Sequence, residues 1–174
     1  MTLSELRDLF EYNRWAHTRT VDASALLGPD KYAETPNGSS LSLRSVLQNL
    51  LAEEVVWLSR WEGHSMAESP DYSECADTGA LMERWNSLWK RQTRFIESLI
   101  EDDLGNPISI RMSNGIETVQ TLGDTLAHVV NQATYLRGEA AVLIKQHGGT
   151  APAADLFTYR LESGSDGSDS AIAP

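Results

Sequence analysis

Three absences narrow the classes of protein to which this chain belongs. The 174 residues contain a single cysteine, Cys75, which excludes an intramolecular disulfide and suits a reducing compartment such as the cytoplasm. No apolar run reaches the roughly 20 residues that a membrane-spanning helix requires, and the acidic N-terminus lacks the basic region of a signal peptide. We therefore expect a cytoplasmic protein with no membrane partner.

Basic residues are also scarce. Lys and Arg number 14 against 25 Asp and Glu, which gives a formal net charge of -11. Nonspecific affinity for nucleic acid depends on Lys and Arg that neutralise phosphates, so this balance argues against a nucleic-acid partner. The chain also lacks the basic amphipathic helix that lies on an anionic membrane surface. These features indicate a soluble domain.

Four long helical patterns account for most of the chain. Each begins at a Ser, Thr or Asp whose side chain is able to accept a hydrogen bond from the first helical turn. The first pattern is ended by Gly28-Pro29 and the last by Gly148-Gly149, as glycine and proline commonly do. The predicted helices cover approximately residues 2–27, 42–61, 77–100 and 121–147.

The fourth helix carries the most regular apolar pattern. Its apolar residues recur at alternating steps of four and three, which is typical of a helix packed nearly antiparallel to its neighbours in a bundle. The residues of this seam are Leu122, Leu126, Val129, Ala133, Leu136, Ala140 and Leu143.

The segments between the long helices are short or polar. Two alternating runs flank Asn114-Gly115, the strongest short signal for a β-hairpin. Residues 31–40 and 63–76 are interpreted as loops, and residues 152–162 as a turn or short helix that packs on the bundle. The sequence thus predicts an all-α four-helix bundle with a small β-hairpin before the last long helix. We expect one domain, residues 1–162, followed by a disordered polar tail, residues 163–174.

Three stretches of this sequence resemble the DinB/YfiT-like superfamily. They are YNRWAHTRTVDA, SLRSVLQNLLAEEVVWLSRWEG and LAHVVNQATYLRGEAAVLIKQHG, in the first, second and fourth predicted helices. The resemblance covers the chain up to about Glu162. That superfamily includes damage-inducible bacterial proteins and relatives that act as metal-dependent thiol S-transferases. The resemblance implies a four-helix bundle, often a homodimer, with a link to the bacterial stress response.

The resemblance also implies a site where three histidines hold a divalent metal such as zinc or nickel. The matching positions in this chain are Asn49, Gln132 and Leu136. Leu136 has no donor atom, and the two amides are poor ligands for such metals. We therefore expect neither metal nor other cofactor, and interpret Asn49 and Gln132 as hydrogen-bonded to each other beside Leu136. The flanking motif residues are kept, namely Glu54, His128, Asn131, Thr134, Arg137 and Gly138.

Four polar residues are secondary candidates for the site. His128 is interpreted as a structural histidine that makes one hydrogen bond in the bundle. His17, His128 and Glu54 together form an alternative set of metal ligands. Glu54 and Arg137 are interpreted as an ion pair, either between the second and fourth helices or across a dimer interface, because buried charges must be paired. Alternatively, Arg137 holds an anionic ligand.

Three functions stay open at this point. The first is a non-catalytic or repurposed dimeric bundle that binds an unidentified small molecule between the second and fourth helices. The second is a metal-dependent thiol S-transferase or hydrolase with a rebuilt metal site. The third is an interaction protein whose relevant surface is its dimer interface. The absence of all three ligand histidines favours the first, because metal-assisted activation of a thiol requires a bound metal with an open position.

Overall fold

The computed structural model describes residues 1–64, 69–111 and 115–165. Within these ranges four long helices form a bundle, and an antiparallel β-hairpin precedes the last of them, so the predicted fold class is confirmed. The elements are α1 (Leu3–Ala25), α2 (Pro29–Ala33), α3 (Leu43–Trp61), α4 (Thr78–Glu97), a 3₁₀ helix (Glu101–Gly105), β1 (Pro107–Arg111), β2 (Glu117–Thr121), α5 (Leu122–Gln146) and α6 (Leu156–Ser165).

The N-terminus of each long helix is fixed by a side-chain cap. Thr2 Oγ1 accepts a hydrogen bond from the Glu5 amide at 3.2 Å, and the Glu5 carboxylate accepts one from the Thr2 amide at 2.7 Å. The side chains of Ser42, Asp77 and Thr121 each accept a hydrogen bond from an amide in the first turn of α3, α4 and α5. Each cap supplies a partner to an amide that the first turn of a helix leaves unpaired.

The observed bounds differ from the predicted ones in three places. The predicted loop at 31–40 begins within α2, because Pro29 favours the first position of a new helix after α1 has ended at Ala25. The third long helix ends at Glu97 rather than near residue 100, and the 3₁₀ helix follows it. Helix α6 extends to Ser165, three residues beyond the predicted domain end. The rest of the predicted tail, 166–174, and Asn114 of the predicted turn lie outside the described residues.

The β-hairpin leads directly into α5. Its strands pair from Pro107↔Thr121 to Arg111↔Glu117. The amide of Leu122 then donates to the carbonyl of Asn106 at 2.8 Å, which joins the start of α5 to the entrance of β1. The hairpin therefore fixes where the last long helix begins.

The core lies between the four long helices. All seven residues of the predicted seam on α5 are buried, which confirms the orientation of that helix. The largest completely buried side chain is Trp85 of α4, and Phe10 of α1 packs edge-on against Trp61 of α3. No helix within the described ranges combines the length and the hydropathy that crossing a membrane demands.

Truncation of one seam residue tests this packing. Leu126 is 0% exposed, so Leu126→Ala is expected to lower the free energy of unfolding by about 2–5 kcal/mol through lost contacts and a residual cavity. Urea denaturation followed by circular dichroism measures the loss. The matched control is Leu26→Ala, at a residue that is 89% exposed, where the change should stay within about 0.5 kcal/mol. Equal losses in the two variants would contradict the assigned packing.

Candidate functional site

A closed ring of hydrogen bonds between four side chains lies in the centre of the bundle. Glu54 Oε1 is 2.8 Å from both Asn13 Nδ2 and His17 Nε2. Arg137 Nη1 is 2.5 Å from Asn13 Oδ1 and 2.9 Å from His17 Nδ1. All four residues are buried, and they come from α1, α3 and α5. We refer to Asn13, His17, Glu54 and Arg137 as the polar ring.

The donors of the polar ring fix the protonation state of His17. A guanidinium group only donates hydrogen bonds, so His17 Nδ1 accepts from Arg137. Nε2 therefore carries the proton and donates it to the Glu54 carboxylate. Burial lowers the pKa of His17 below its ordinary value of 6.5, and the positive charge of Arg137 lowers it further, against the opposing effect of Glu54. His17 is accordingly a neutral imidazole.

Glu54 stays ionised in the same environment. Burial by itself raises the pKa of this carboxyl group, but its interactions with His17 and Asn13 and the charge of Arg137 outweigh burial. The net effect places the pKa of Glu54 below its ordinary value of 4.5. The polar ring thus holds one negative and one positive group with no net charge.

The predicted pairing of Glu54 with Arg137 is indirect. No direct ion pair between them is found among the residues that the structure describes. Asn13 and His17 stand between the two charges and hydrogen-bond to both. The ring lies inside one chain, so these contacts link α1, α3 and α5.

The polar ring is connected to the rest of the bundle. Arg137 Nη2 donates to the Tyr12 hydroxyl at 3.1 Å and to Thr134 Oγ1 at 2.8 Å. The Tyr12 hydroxyl in turn donates to the carbonyl of Ala154 at 3.2 Å, which joins the segment before α6 to the centre. On the other side, the ring of His17 lies 5.0 Å from that of Trp85 in α4.

The three positions that the resemblance matches to metal ligands are not part of the polar ring: Asn49 lies on α3, and Gln132 and Leu136 lie on α5. Two contacts set the register of these helices: Trp61 Nε1 donates to Thr125 Oγ1 at 3.0 Å, and the rings of Trp57 and His128 are 5.1 Å apart. From the first contact to the second, the residue number increases on α5 and decreases on α3, so the two helices are antiparallel. Each further turn of one helix therefore meets a further turn of the other.

Extending this register along both helices places Asn49 at about the level of Leu136. Gln132 lies one turn before Leu136 on α5. Leu136 is buried, Gln132 is half-buried and Asn49 is exposed. The predicted hydrogen bond between Asn49 and Gln132 is not formed, since none of the contacts of these two described residues joins them.

The side chains at these positions do not fit a divalent metal. Leu136 contributes only apolar atoms to the seam, and the two amide side chains carry no charge. Across the described parts of the chain, no three His, Cys, Asp or Glu side chains are grouped in a way that could hold a metal ion. The side chains at these three positions therefore do not form a ligand set typical of zinc or nickel.

The alternative ligand set is only partly brought together. His17 and Glu54 meet in the polar ring, but both ring nitrogens of His17 are already hydrogen-bonded there. His128 lies exposed on α5 with its ring against Trp57, which Arg60 covers from 4.7 Å on the α3 surface. The interpretation of His128 as a histidine hydrogen-bonded within the bundle is therefore wrong.

Sequence reasoning did not find Asn13 or Tyr12 as members of this centre. A signal was present on α1, where the buried residues recur at steps of four and three like the seam of α5. In α1 that series changes from apolar to polar along the helix: Leu6, Phe10, Asn13, His17, Thr20 and Ser24. Polar residues on the inward stripe of an amphipathic helix indicate a buried network.

Comparisons with known proteins agree on one family. The sequence model of the DinB family matches residues 1–166. Protein DinB of Bacillus subtilis (strain 168) is 22% identical over 158 residues, which cover 87% of this chain and 91% of that protein. The crystal structure of a DinB-like protein from Bacillus cereus ATCC 10987 has a TM-score of 0.66 at 19% identity, and the match covers 87% of this chain and 97% of that one. Structural similarity at this identity shows a shared fold.

Removal of one charge from the polar ring should be costly. Glu54→Gln leaves the buried guanidinium of Arg137 without its counter-charge, and we expect a loss of about 3–5 kcal/mol in the free energy of unfolding. The matched control is Glu53→Gln, the same change at the preceding, partly exposed residue, with an effect within about 0.5 kcal/mol. Urea titrations of both variants against the parent protein measure the difference. A Glu54→Gln protein as stable as its control would contradict a charge-balanced ring.

The lowered pKa of His17 predicts acid sensitivity. The unfolded chain binds a proton at His17 more readily than the folded one, so the stability from the neutral imidazole is complete above pH 6.5 and is lost as the pH falls below it. The loss approaches about 1.4 kcal/mol per pH unit, and Glu54 adds a further loss below pH 4.5.

Urea midpoints between pH 7.5 and 5.5 measure this slope. His17→Gln should flatten it, whereas His64→Gln should not, because the His64 side chain is 74% exposed. A parent protein whose stability is constant over this range would contradict a buried neutral His17.

Proposed function

The chain belongs to the DinB family, and on that premise we propose that it is a member without the family's metal chemistry, a non-catalytic bundle repurposed to bind a small molecule. The observation that carries this proposal is the donor set at the three ligand positions. A buried Leu136 faces the seam where a ligand histidine is expected, and the other two positions hold uncharged amides. Such a set does not hold zinc or nickel.

The polar ring supports the same proposal because its hydrogen bonds hold the helices of the bundle together. In a metal-binding bundle, ligands from different helices tie those helices together through the metal. Here hydrogen bonds between Asn13, His17, Glu54 and Arg137 join α1, α3 and α5 without one. A bundle tied internally in this way tolerates the loss of its ligand histidines.

A thiol S-transferase or hydrolase with a rebuilt metal site is less well supported. Its proposed ligands His17 and Glu54 are buried in the polar ring, while His128 is exposed on α5. Two hydrogen bonds already occupy the nitrogens of His17, so a metal would have to displace Arg137 or Glu54 from that ring. Such an exchange would leave a buried charge unpaired.

The proposal includes a homodimer in the cytoplasm. Two large apolar side chains, Phe157 and Leu161, are exposed one turn apart on α6. An apolar patch of this kind on a helix surface is suited to cover by a second copy. The cytoplasmic location is proposed only because a chain with a single cysteine suits a reducing compartment.

Elemental analysis tests the metal-free function. After incubation with zinc, nickel and manganese and then desalting, the parent protein should retain far less than one metal ion per chain. The variant Asn49→His/Gln132→His/Leu136→His should retain about one, because it supplies one imidazole ligand from α3 and two, one turn apart, from α5. Near-stoichiometric metal in the parent protein would overturn the proposal. A folded variant that binds no metal would contradict the assignment of these positions as ligand positions.

A further inference from the structure

A groove lies on α5 one turn beyond Leu136, on the side of the bundle where the chain enters α3. Its volume is about 240 Å³. The C-terminal half of α5 forms one side, and the segment before α3 forms the other. The lining residues are Gly38, Ser39, Leu41, Glu139, Val142, Leu143 and Gln146.

The wall opposite α5 is held by a tight turn. The amide of Ser39 donates to the carbonyl of Pro36 at 3.0 Å, and Gly38 has a φ of +81°, which a side chain would make unfavourable. Ser39 Oγ then donates to the carbonyl of Leu41 at 3.0 Å and accepts from its amide at 3.1 Å. These bonds fix the position of Leu41, so the groove exists before any ligand binds.

The floor of the groove is apolar and open to solvent. Leu143 is buried beneath it, whereas Leu41 is 42% exposed and Val142 is 56% exposed. Binding sites for small molecules are lined mainly by apolar side chains with a few polar groups that set orientation. The volume is slightly below the range of about 300–1,000 Å³ usual for such sites, which favours a ligand smaller than a drug molecule.

One carboxylate sets the charge preference of the groove. Among the described residues of the lining, Glu139 alone is charged, and Gln146 lies two turns further along the same face of α5. Within the described residues, neither side chain has a hydrogen bond or ion pair. Ser39 already donates to and accepts from Leu41, so the side-chain acceptors of the lining that have no partner are the Glu139 carboxylate and the Gln146 amide oxygen.

We infer that this groove binds a small organic cation, a primary ammonium group on a short apolar chain. The ammonium donates charge-assisted hydrogen bonds to Glu139, and the apolar chain covers Leu41, Val142 and Leu143. The net charge of the protein, -11, attracts cations and disfavours the corresponding carboxylate. This inference rests on the proposed function and names its ligand class.

Three probes with the same six-carbon chain separate charge from apolar contact: hexylammonium, hexanol and hexanoate. Binding to the full chain is followed by NMR chemical shifts at low ionic strength, where electrostatic attraction is least screened. Hexylammonium should bind and shift the amides of Glu139, Val142 and Gln146. Hexanol should bind about tenfold more weakly, and hexanoate more weakly still. Equal affinity for hexylammonium and hexanoate, or no saturable binding of hexylammonium, would overturn the inference.

Variants assign the binding to this groove. Glu139→Gln should weaken hexylammonium binding about tenfold, whereas Glu83→Gln, the same change at an exposed residue of α4, should leave it unchanged. Val142→Lys, at an exposed position, should abolish binding without unfolding the protein. Binding that survives both groove variants would place the cation elsewhere and reject this site. Metal analysis separates the two proposals. If the protein binds neither metal nor hexylammonium, only the proposed ligand class is rejected. If the protein retains metal, the proposed function itself is rejected.

Discussion

The buried charges of Glu54 and Arg137 are the constraint on which the rest of the bundle depends. An unpaired charge in a protein interior is costly, so both groups must be satisfied by partners that folding brings to them. Asn13 and His17 supply those partners from α1, four residues apart and therefore on one face. The helices α1, α3 and α5 consequently meet in a single register, because sliding any one by a turn would separate hydrogen-bonded atoms.

The polar ring does not include the three positions that we propose as former ligand positions. The ring is closed within the core, whereas Asn49 is exposed and Gln132 is half-buried. None of these three side chains hydrogen-bonds to a member of the ring, so a substitution there removes none of the ring's hydrogen bonds. In the function that we propose, this is how a DinB-family chain keeps its fold with Leu136 at a ligand position.

Local sequence patterns predicted the elements but only part of the site. The caps at Thr2 and Thr121 and the seam of α5 follow from hydrogen-bonding and periodicity rules that act within one helix. The polar ring depends on which residues of different helices meet. Periodicity predicts which face of a helix is buried, but it does not predict which residues of another helix that face contacts. For the same reason His128 was expected inside the bundle, although it lies at the edge of the α5 seam and is exposed. The predicted hydrogen bond between Asn49 and Gln132 is not formed, because helix periodicity does not set the distance between side chains on two different helices.

The protonation state of His17 is the most direct test of this account. Two-dimensional ¹⁵N–¹H NMR of the histidine side chains in the folded protein identifies which ring nitrogens carry protons. The polar ring requires a neutral His17 with the proton on Nε2 and a bare Nδ1, maintained below pH 6.5. A doubly protonated His17 imidazole at neutral pH, or a proton on Nδ1, would contradict the hydrogen bond from Arg137 and with it the charge balance at the centre of the bundle.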